Sequence, residues 1–470
     1  MPKRNLAWIL VIMMIAGLMW QLPQTIARRD SVAQAFGPLV DARALIHKRF
    51  VRSVDDGELV SSTVEGGIDA MIKSLGDPYA LYLTEKEYDR FQDRTEGIYG
   101  GIGLDVLAVE GGLEVLSRAP NSPAAFADIA AGDIITKIDG RSIAGVPLVE
   151  AVDSYLNGPP GSVVLLDVVT PGQSESRRVQ IRRARIELDP IRGVSRTEGD
   201  AWRYMLDEEA RIGYVQLAKF TPIAQDRMDA AVSVLFQQDM RAMILDLREN
   251  TGGLLDQAVA VADRFLTAGT IVRIQGEKTD DKKYAASKDG TYRPFPLVVL
   301  INGSTASAAE IVAGALRDHH RGYVIGERSY GKGSVQELLH LAPGGGAIKI
   351  TTAFYFLPSG ECIQRTPASV ERGNWGVTPD EHIVMTAEQK QRWLTVWREI
   401  RRAPADDATS RPVSETSLAT AHPEYHRRAA QRLLDVDIQL VAALNYLLPR
   451  VSRPGQRTPR SQTPVSKSAF

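Results

Sequence analysis

The chain has little of the residue types that hold disulfides or metal ions. Its only cysteine is Cys362, so no disulfide can form within one chain. The seven histidines are scattered, and no cluster of histidine and cysteine has the spacing of metal ligands. We therefore expect a functional site without a metal ion or a cofactor.

The chain also has no large excess of one charge and few long apolar runs. The formal net charge is −1, which argues against nucleic acid as an electrostatic partner. The apolar run Leu6–Trp20 follows two basic residues, and it is long for a signal-peptide core but short for a transmembrane helix. We expect residues 1–27 to be a signal peptide or a membrane anchor. The rest of the chain would then lie on the outer side of the cytoplasmic membrane, in the periplasm or cell envelope, anchored or secreted.

The length of 470 residues predicts several domains, and a hydrophobic content of 44% is ordinary for globular protein. Between Arg211 and Asp380, apolar strands alternate with helical patterns, which predicts an α/β core. The predicted strands are 212–217, 242–247, 297–301 and 323–326, and the predicted helices are 224–236, 254–266 and 308–316.

Two segments of this core carry residues that fit peptide-bond chemistry. Segment 302–310 (NGSTASAAE) contains Ser307, and segment 326–336 (GERSYGKGSVQ) contains Lys332 and Gln336. A serine hydroxyl needs an adjacent base, and a lysine serves only when its pKa falls from about 10.4 to roughly 7–8. Burial around Lys332 would lower it, and the uncharged Gln336 could orient the amine without retaining the proton.

The setting of Ser307 also suits this chemistry. The serine follows a short apolar strand and begins a predicted helix, where backbone N–H groups are unpaired and the dipole favours negative charge. A tetrahedral oxyanion would be stabilised there. Upstream, segment 246–253 (DLRENTGG) places a glycine turn after another apolar strand, and glycine permits close approach of the backbone.

Together these three segments resemble the C-terminal processing peptidases, also called tail-specific proteases, and they occur in the order of that family. The resemblance covers most of the chain between about Asp77 and Asp380. It implies a crotonase-like αβ protease core with an inserted PDZ domain. It also implies that the N–H groups of Gly253 and Ala308 form the oxyanion hole, while Asp318 matches an acidic position with a structural or supporting role.

Residues from Gly97 to about Ile186 resemble a PDZ domain. Segment 101–106 (GIGLDV) is similar to the PDZ carboxylate-binding loop and the strand after it, and segments 120–125, 132–135 and 138–140 follow in the expected order. Such a domain pairs an extended peptide with a sheet edge and binds its terminal carboxylate on backbone amides. The resemblance assigns that role to Gly101, Ile102, Gly103 and Leu104.

Two positions of this region depart from many relatives. Asp128 stands where they have glycine after the small helix. Asn157 stands where they have an arginine that has been linked to communication between the PDZ domain and the active site. Asparagine cannot make the same charged, forked contacts, so we expect the coupling to differ in this chain.

The domain organisation that we predict is α/β and multidomain, with helical segments at both ends of the protease core. Tyr425–Leu448 is expected to be one amphipathic helix that packs on the core, with a contact in a homo-oligomer as the alternative. The predicted order is a signal peptide or anchor (1–27), a helical segment (28–95), the PDZ domain (96–187), the Ser-Lys protease core (188–390), a linker and C-terminal helix (391–449) and a disordered tail (450–470).

The resulting hypothesis is an exported serine endopeptidase that cleaves protein or peptide substrates near their free C-termini. One alternative is a PDZ binding protein whose protease domain is silent. Gly326 to Lys332 also mimics a phosphate-binding loop, although Gly333 replaces the serine or threonine that holds magnesium. A Ser-His-Asp triad with His319 or His320 is conceivable, but the Gly-x-Ser-x-Gly pattern is missing around Ser307.

Overall fold

The computed structural model describes residues 36, 55–119, 121–173, 175–197, 201–341, 345–400 and 415–451. The predicted signal or anchor segment and the predicted C-terminal tail lie outside these residues. Within the described ranges, no helix combines the length and the apolar character needed to cross a membrane. The chain divides into two compact units, and each is described by itself.

The smaller unit comprises the described residues as far as Tyr88 and those of Glu337–Thr351. Its helix Asp56–Ser74 begins where an aspartate side chain accepts a hydrogen bond from the N–H three residues later. The strand Leu81–Leu83 pairs antiparallel with the first three residues of the strand Ala347–Phe356. Backbone pairing therefore joins segments that are far apart in the sequence.

The larger unit contains the PDZ-like region, which forms an antiparallel sheet. Leu104–Val109 is the edge strand of this sheet, and its only strand partner in the described part of the chain is Gly112–Arg118. The sheet continues in the order Ile134–Ile138, Val163–Val169 and Arg177–Arg182. The short strand Arg141–Ser142 pairs with Ile134–Ile138. Around it lie the strand pair Ile98–Gly101 and Ala184–Glu187, the short helix Pro123–Phe126, and Leu148–Glu150, which continues as the wider-wound turn Ala151–Leu156.

The α/β core predicted from the sequence is confirmed. Its central strands Ile212–Leu217, Ala242–Asp246, Leu297–Ile301 and Tyr323–Gly326 are parallel neighbours in that order. Side chains alternate between two buried clusters, so that both faces of the sheet are covered, as parallel sheets require. The sheet is completed by Ile191–Arg192, Met205–Asp207 and Glu381–His382, and the helices of one face are Ala224–Gln237, Leu255–Asp263 and Ala308–Asp318.

The strand Gly269–Gly276 pairs with Thr279–Ala286 on one side and with Phe354–Phe356 on the other. The remaining elements are the helices Glu85–Glu96, Pro367–Glu371 and Ala387–Ile400 and the strands Ser195–Arg196, Trp202–Arg203 and Ser334–His340.

The single C-terminal helix predicted over Tyr425–Leu448 is wrong, because the structure has two. Glu415–Leu434 ends before an acidic turn, and Ile438–Val451 begins after it. Asp437 stops the first helix and caps the second, since its carboxylate accepts the N–H of Leu440 at 2.9 Å. The predicted apolar stripe is nonetheless mostly buried against the core sheet, in the residues Ala429, Leu433, Leu440 and Leu444.

The same Asp437 holds a buried arginine at the end of the second core strand. Arg248 is 1% exposed, and its guanidinium contacts the carboxylates of Asp246 at 2.6 Å and Asp437 at 2.7 Å. Gln439 accepts a further hydrogen bond at 3.0 Å, and the ring of Trp393 lies 4.6 Å from the guanidinium carbon. The C-terminal helices are thereby fastened to the strand that leads into the glycine turn.

We predict that Asp437→Asn destabilises the fold by about 1.5–3 kcal/mol, because the amide weakens two charge-assisted hydrogen bonds to the buried guanidinium of Arg248, which then has only the carboxylate of Asp246. The measurement is the urea unfolding midpoint of the full chain. The matched control is Asp435→Asn, an exposed position two residues away. Equal midpoints for the two variants would contradict the importance of this ion pair.

Candidate active site

Ser307 is the N-cap residue of the helix Ala308–Asp318, shortly after the strand Leu297–Ile301. Its φ of 57° lies in the left-handed region, which few residues other than glycine adopt. Backbone strain of this kind persists only where the surroundings enforce it, and it clusters at functional sites. The N-cap position also places the N–H of Ala308 next to the serine, whereas the N–H groups of Ala309 and Glu310 donate to the carbonyls of Ala306 and Ser307.

The glycine turn lies against Ser307. A Cβ atom on Gly252 would be 2.9 Å from the Cβ of Ser307 and 3.2 Å from the nitrogen of Ala308. A Cβ on Gly253 would be 2.2 Å from the carbonyl oxygen of Phe220, so neither glycine accepts a side chain. The backbone of Phe220 forms a parallel β-bridge with Gly253: its N–H donates to the carbonyl of Gly252, and its carbonyl accepts the N–H of Leu254. The N–H of Gly253 takes no part in this bridge.

A carboxylate that was not predicted from the sequence connects the Ser307 segment with the Lys332 segment. Glu310 is completely buried, and its Oε2 accepts the N–H of Ser307 at 2.7 Å and the N–H of Lys332 at 2.8 Å. Its Oε1 accepts the hydroxyl of Ser329 at 2.5 Å and the N–H of Gly331 at 2.7 Å. The main-chain nitrogens of Ser307 and Lys332 are therefore held by one oxygen atom, although the residues are far apart in the sequence.

The sequence contains a signal for this carboxylate. Ser307 and Glu310 occupy the N-cap and N3 positions of a capping box, the Ser-x-x-Glu pattern that precedes an apolar helical run. In an ordinary capping box the glutamate satisfies only the N-cap N–H. Glu310 also accepts bonds from a second segment, and this contact could not be read from the local pattern.

The segment that carries Lys332 is fixed on both sides. The N–H of Tyr330 donates to the carbonyl of Thr305 at 2.9 Å, which ties the segment to the loop before Ser307. Gly331 has a φ of 88°, and a Cβ atom there would be 2.8 Å from a ring carbon of Trp375. Glycine is thus required next to the lysine by backbone conformation and by space.

Lys332 and Gln336 are both half-buried, near the start of the strand Ser334–His340. The Nε2 of Gln336 donates to the hydroxyl of Ser334 at 2.6 Å, so its carbonyl oxygen is the atom with which it would hold an amine. Burial lowers the pKa of Lys332, and the negative charge of Glu310 opposes that shift. Burial also raises the pKa of Glu310, against the effect of its four hydrogen bonds.

Asp318, His319 and His320 lie at the opposite end of the Ser307 helix. This helix has 11 residues, and a rise of about 1.5 Å per residue makes the separation about 16 Å. Asp318 accepts the N–H of Ser359 at 2.9 Å, and His319 donates to a backbone carbonyl at 2.7 Å. These side chains have structural partners of their own, and the Ser-His-Asp alternative is not supported.

The phosphate-binding alternative is not supported either. A phosphate-binding loop leads from a strand into the N-terminus of a helix, which supplies N–H groups and a positive dipole end. Lys332 leads instead into the strand Ser334–His340. A Cβ on Gly333 would be 2.6 Å from the backbone nitrogen of Gln364, so close packing accounts for the second glycine.

The loop predicted to bind carboxylate lies at the start of the PDZ edge strand. The carbonyl of Ile102 accepts the N–H of Ala124 at 2.9 Å, and the carbonyl of Gly103 accepts the N–H of Ala119 at 2.8 Å. The second bond shows that Leu104 and Arg118 face each other as a non-hydrogen-bonded pair of the antiparallel ladder. In such a pair the N–H of Leu104 does not donate to the neighbouring strand. The carbonyls of the loop are thus satisfied by protein, and Leu104 directs its N–H toward the open edge.

The two departures from the PDZ pattern have structural counterparts. A Cβ on Gly101 would be 2.8 Å from the side-chain oxygen of Asn157, so this asparagine packs on the chain entering the loop. Asp128 is exposed, and its carboxylate lies 3.3 Å from Arg177, whose guanidinium also contacts the buried Asp133 at 2.5 Å.

Comparison with known proteins identifies the family of this chain. Residues 211–383 match the model of peptidase family S41, residues 114–170 match a PDZ domain, and residues 20–87 match the N-terminal domain of the activating protease CtpB. The chain is 37% identical over 356 residues to the carboxy-terminal-processing protease of Bartonella bacilliformis, and the alignment covers 75% of each chain.

Two further relatives are a plant protein and a solved structure. The chloroplastic carboxyl-terminal-processing peptidase 2 of Arabidopsis thaliana is 32% identical over 327 residues, which cover 67% of this chain and 59% of the plant protein. The photosystem II D1 C-terminal processing protease is 28% identical, with 73% of this chain and 92% of that chain covered and a TM-score of 0.40. The chain belongs to the carboxy-terminal-processing proteases of peptidase family S41. It is a serine peptidase with a PDZ domain.

We predict that Glu310→Gln lowers kcat at least tenfold while KM changes little, because an amide NH₂ would oppose N–H donors of Ser307, Lys332 or Gly331. Lost hydrogen bonds to a buried charge would also cost about 2–4 kcal/mol of stability. Steady-state kinetics and urea unfolding measure both effects. Glu371→Gln on the exposed side of the helix Pro367–Glu371 is the matched control. An unchanged kcat in a folded Glu310→Gln enzyme would contradict the positioning role.

Proposed function

We propose that this serine peptidase uses Ser307 as its nucleophile and Lys332 as its general base. The observation that supports this most is the pair of hydrogen bonds from Glu310 Oε2, which hold the backbone of both residues at one point. The strained φ of Ser307 supports the same assignment.

In the proposed reaction, the neutral amine of Lys332 takes the hydroxyl proton as Ser307 Oγ bonds to the substrate carbonyl carbon. The carbonyl oxygen becomes an oxyanion, which the N–H groups of Gly253 and Ala308 stabilise. The C–N bond then breaks, and the proton passes from Lys332 to the leaving amine. Water attacks the resulting ester with Lys332 again as base, which releases the acid and restores Ser307.

The base must be neutral for this sequence to begin. Burial lowers the pKa of Lys332 and thus favours the neutral amine, although the charge of Glu310 works in the opposite direction. Gln336 is uncharged, and its carbonyl would orient the amine without stabilising the ammonium as a carboxylate would. The combination supports a lysine that accepts a proton more readily than an exposed one.

We also propose that the PDZ domain binds the C-terminal tails of substrates. Two features support it: Leu104–Val109 is an edge strand, and its first residue has an N–H that the neighbouring strand does not use. A tail would add as a further strand there, with its carboxylate near Gly101 to Leu104. Substrates with free C-termini would accordingly be cleaved near those ends. We assign residues 96–187 to this domain and 188–390 to the protease core.

Export from the cytoplasm is a further part of the proposal. Its support is the apolar run Leu6–Trp20 behind Lys3 and Arg4. The catalytic part would then act in the periplasm or cell envelope, with residues 1–27 removed or kept as an anchor. Export can be tested with a reporter protein that is active only in the cytoplasm, fused after Asp30. Activity of this reporter would contradict export.

We predict that Ser307→Ala and Lys332→Ala each abolish cleavage of an unfolded protein and leave the fold intact. In the unmodified enzyme, kcat/KM should rise with pH through a pKa below the ordinary lysine value, because activity is lost as the amine becomes protonated. Near-normal turnover by Lys332→Ala, with activity lost in His320→Ala, would show that the base is another residue. A scaffold with a silent protease domain predicts no cleavage by any of these proteins.

For the PDZ domain, we predict that a tail peptide with a free C-terminal acid binds more tightly than its amide. The difference should be about 1.5–3 kcal/mol, the range for hydrogen bonds to a charged group. Isothermal titration of both peptides against the Ser307→Ala chain measures it. Deleting residues 96–187 should lower the efficiency on tail peptides but retain cleavage of unfolded protein. Equal affinities would exclude carboxylate capture, and an inactive but folded deletion would show that the domain activates the protease.

A further inference from the structure

A second concave site lies at the far end of the Ser307 helix. It is a cavity of about 600 Å³, a volume within the range of ligand sites. Its walls include five basic side chains and, in the described part of the chain, no aspartate or glutamate. We call it the basic cavity, and its basic residues are Lys288, Arg293, His319, His320 and Arg321.

Arg321 is the fixed part of the basic cavity. Its Nε donates to the carbonyl of Phe265 and its Nη1 to the carbonyl of Phe295, both at 3.0 Å. The rings of these two phenylalanines lie 5.8 and 4.8 Å from the guanidinium carbon. The guanidinium is therefore held in one place before any ligand arrives.

The charge of Arg321 has no counter-ion in the described residues. Its Nη2 is buried and has no hydrogen-bond partner, and a buried unsatisfied donor is unusual in native proteins. Burial lowers the pKa of Arg321 to about 10, as expected for a cation without a nearby anion. Asp229, which accepts the hydroxyl of Tyr292 in the cavity wall, is already paired with Arg264.

Lys288 and Arg293 supply charge at the rim. Lys288, Arg293 and His320 are exposed. The guanidinium of Arg293 stacks on the ring of Phe236 at 4.2 Å, which orders the side chain without neutralising it. An anion entering the basic cavity would meet the exposed cations Lys288 and Arg293 first and the guanidinium of Arg321 behind them.

The four long undescribed segments of this chain do not supply an anion, and the short one at 198–200 has only two acidic residues, Glu198 and Asp200. Residues 1–35, 37–54, 401–414 and 452–470 each contain more basic than acidic residues, so none of them complements the basic cavity. The molecules that this peptidase handles are polypeptides, and a run of aspartate or glutamate residues provides several carboxylates in sequence.

We propose that the basic cavity is an exosite that binds an acidic segment of the polypeptide substrate. It lies about 16 Å from Ser307 along the helix, and an extended chain spans about 3.3 Å per residue. The acidic segment therefore lies at least about five residues from the bond that is cleaved. This spacing rests on the proposed role of Ser307, whereas binding in the basic cavity does not.

The direct test is fluorescence anisotropy of a labelled, glutamate-rich peptide and its glutamine twin with the full Ser307→Ala chain. We expect the glutamate peptide to bind about tenfold more tightly, a preference that two or more rim charge pairs can supply. The double variant Lys288→Gln/Arg293→Gln should lose this preference. The matched control Lys282→Gln/Lys283→Gln, two exposed lysines of the strand Thr279–Ala286, should keep it.

The kinetic test uses active enzyme and two unfolded substrates that differ only in an acidic run placed six or more residues from the cleaved bond. The acidic substrate should have the lower KM and the same kcat, and Lys288→Gln/Arg293→Gln should remove that difference. Equal binding of the twin peptides, or a preference that survives in this variant, would overturn the proposal. So would displacement by inorganic phosphate without any preference for glutamate, since the cavity would then be a small-anion site. The binding test does not depend on cleavage. A wrong assignment of Ser307 and Lys332 would therefore change only the kinetic results.

Discussion

The buried carboxylate of Glu310 is the constraint on which the active-site region depends. A charge removed from water must be compensated, and four donors from two segments surround this one. Each donor is held within hydrogen-bonding distance of an oxygen, so the start of the Ser307 helix and the Lys332 segment cannot move independently. The left-handed conformation of Ser307 is maintained in the same way, because its N–H is one of these donors.

A second buried ion network performs a similar task for the glycine turn. Arg248 lies between the core strand and the C-terminal helices, with carboxylates from both. The turn that follows reaches Ser307 only because residues 252 and 253 have no side chains. Two networks of buried charge, around Glu310 and around Arg248, thus position backbone atoms rather than reacting side chains. Such positioning suits a peptidase, because the main-chain N–H groups that stabilise an oxyanion point in directions set by the backbone.

The surfaces around the site differ in how they can select substrates. The PDZ edge strand offers backbone pairing, which is indifferent to side chains and depends on an extended tail. The basic cavity offers charge, which is indifferent to backbone conformation. Asn157 packs beside the PDZ loop and carries no charge of its own, so charge recognition in this chain would fall to other positions. A substrate with a free end and an acidic stretch would satisfy both surfaces.

Much of the fold could be predicted from the sequence, because local patterns dominate there. The bounds of the strands Ile212–Leu217, Leu297–Ile301 and Tyr323–Gly326 agree with the prediction to the residue, since apolar runs in a parallel sheet are buried on both faces. The C-terminal helix was predicted wrongly because 3.6-residue periodicity continues through Asp437. The break there is stabilised by the cap that Asp437 forms with Leu440 and by its partner Arg248, which lies 189 residues away.

By itself the sequence determined the family and identified Ser307, Lys332 and the glycine turn as candidates, because these depend on residue types at fixed short spacings. The tertiary structure decided which of them meet. It excluded His319 and His320 by placing a whole helix between them and Ser307. It also revealed Glu310, three of whose four hydrogen-bond donors lie 19 to 22 residues away. It also gathered five basic residues from two separate segments into one cavity. Such contacts depend on how strands and helices pack, and no local pattern encodes the position of a distant segment.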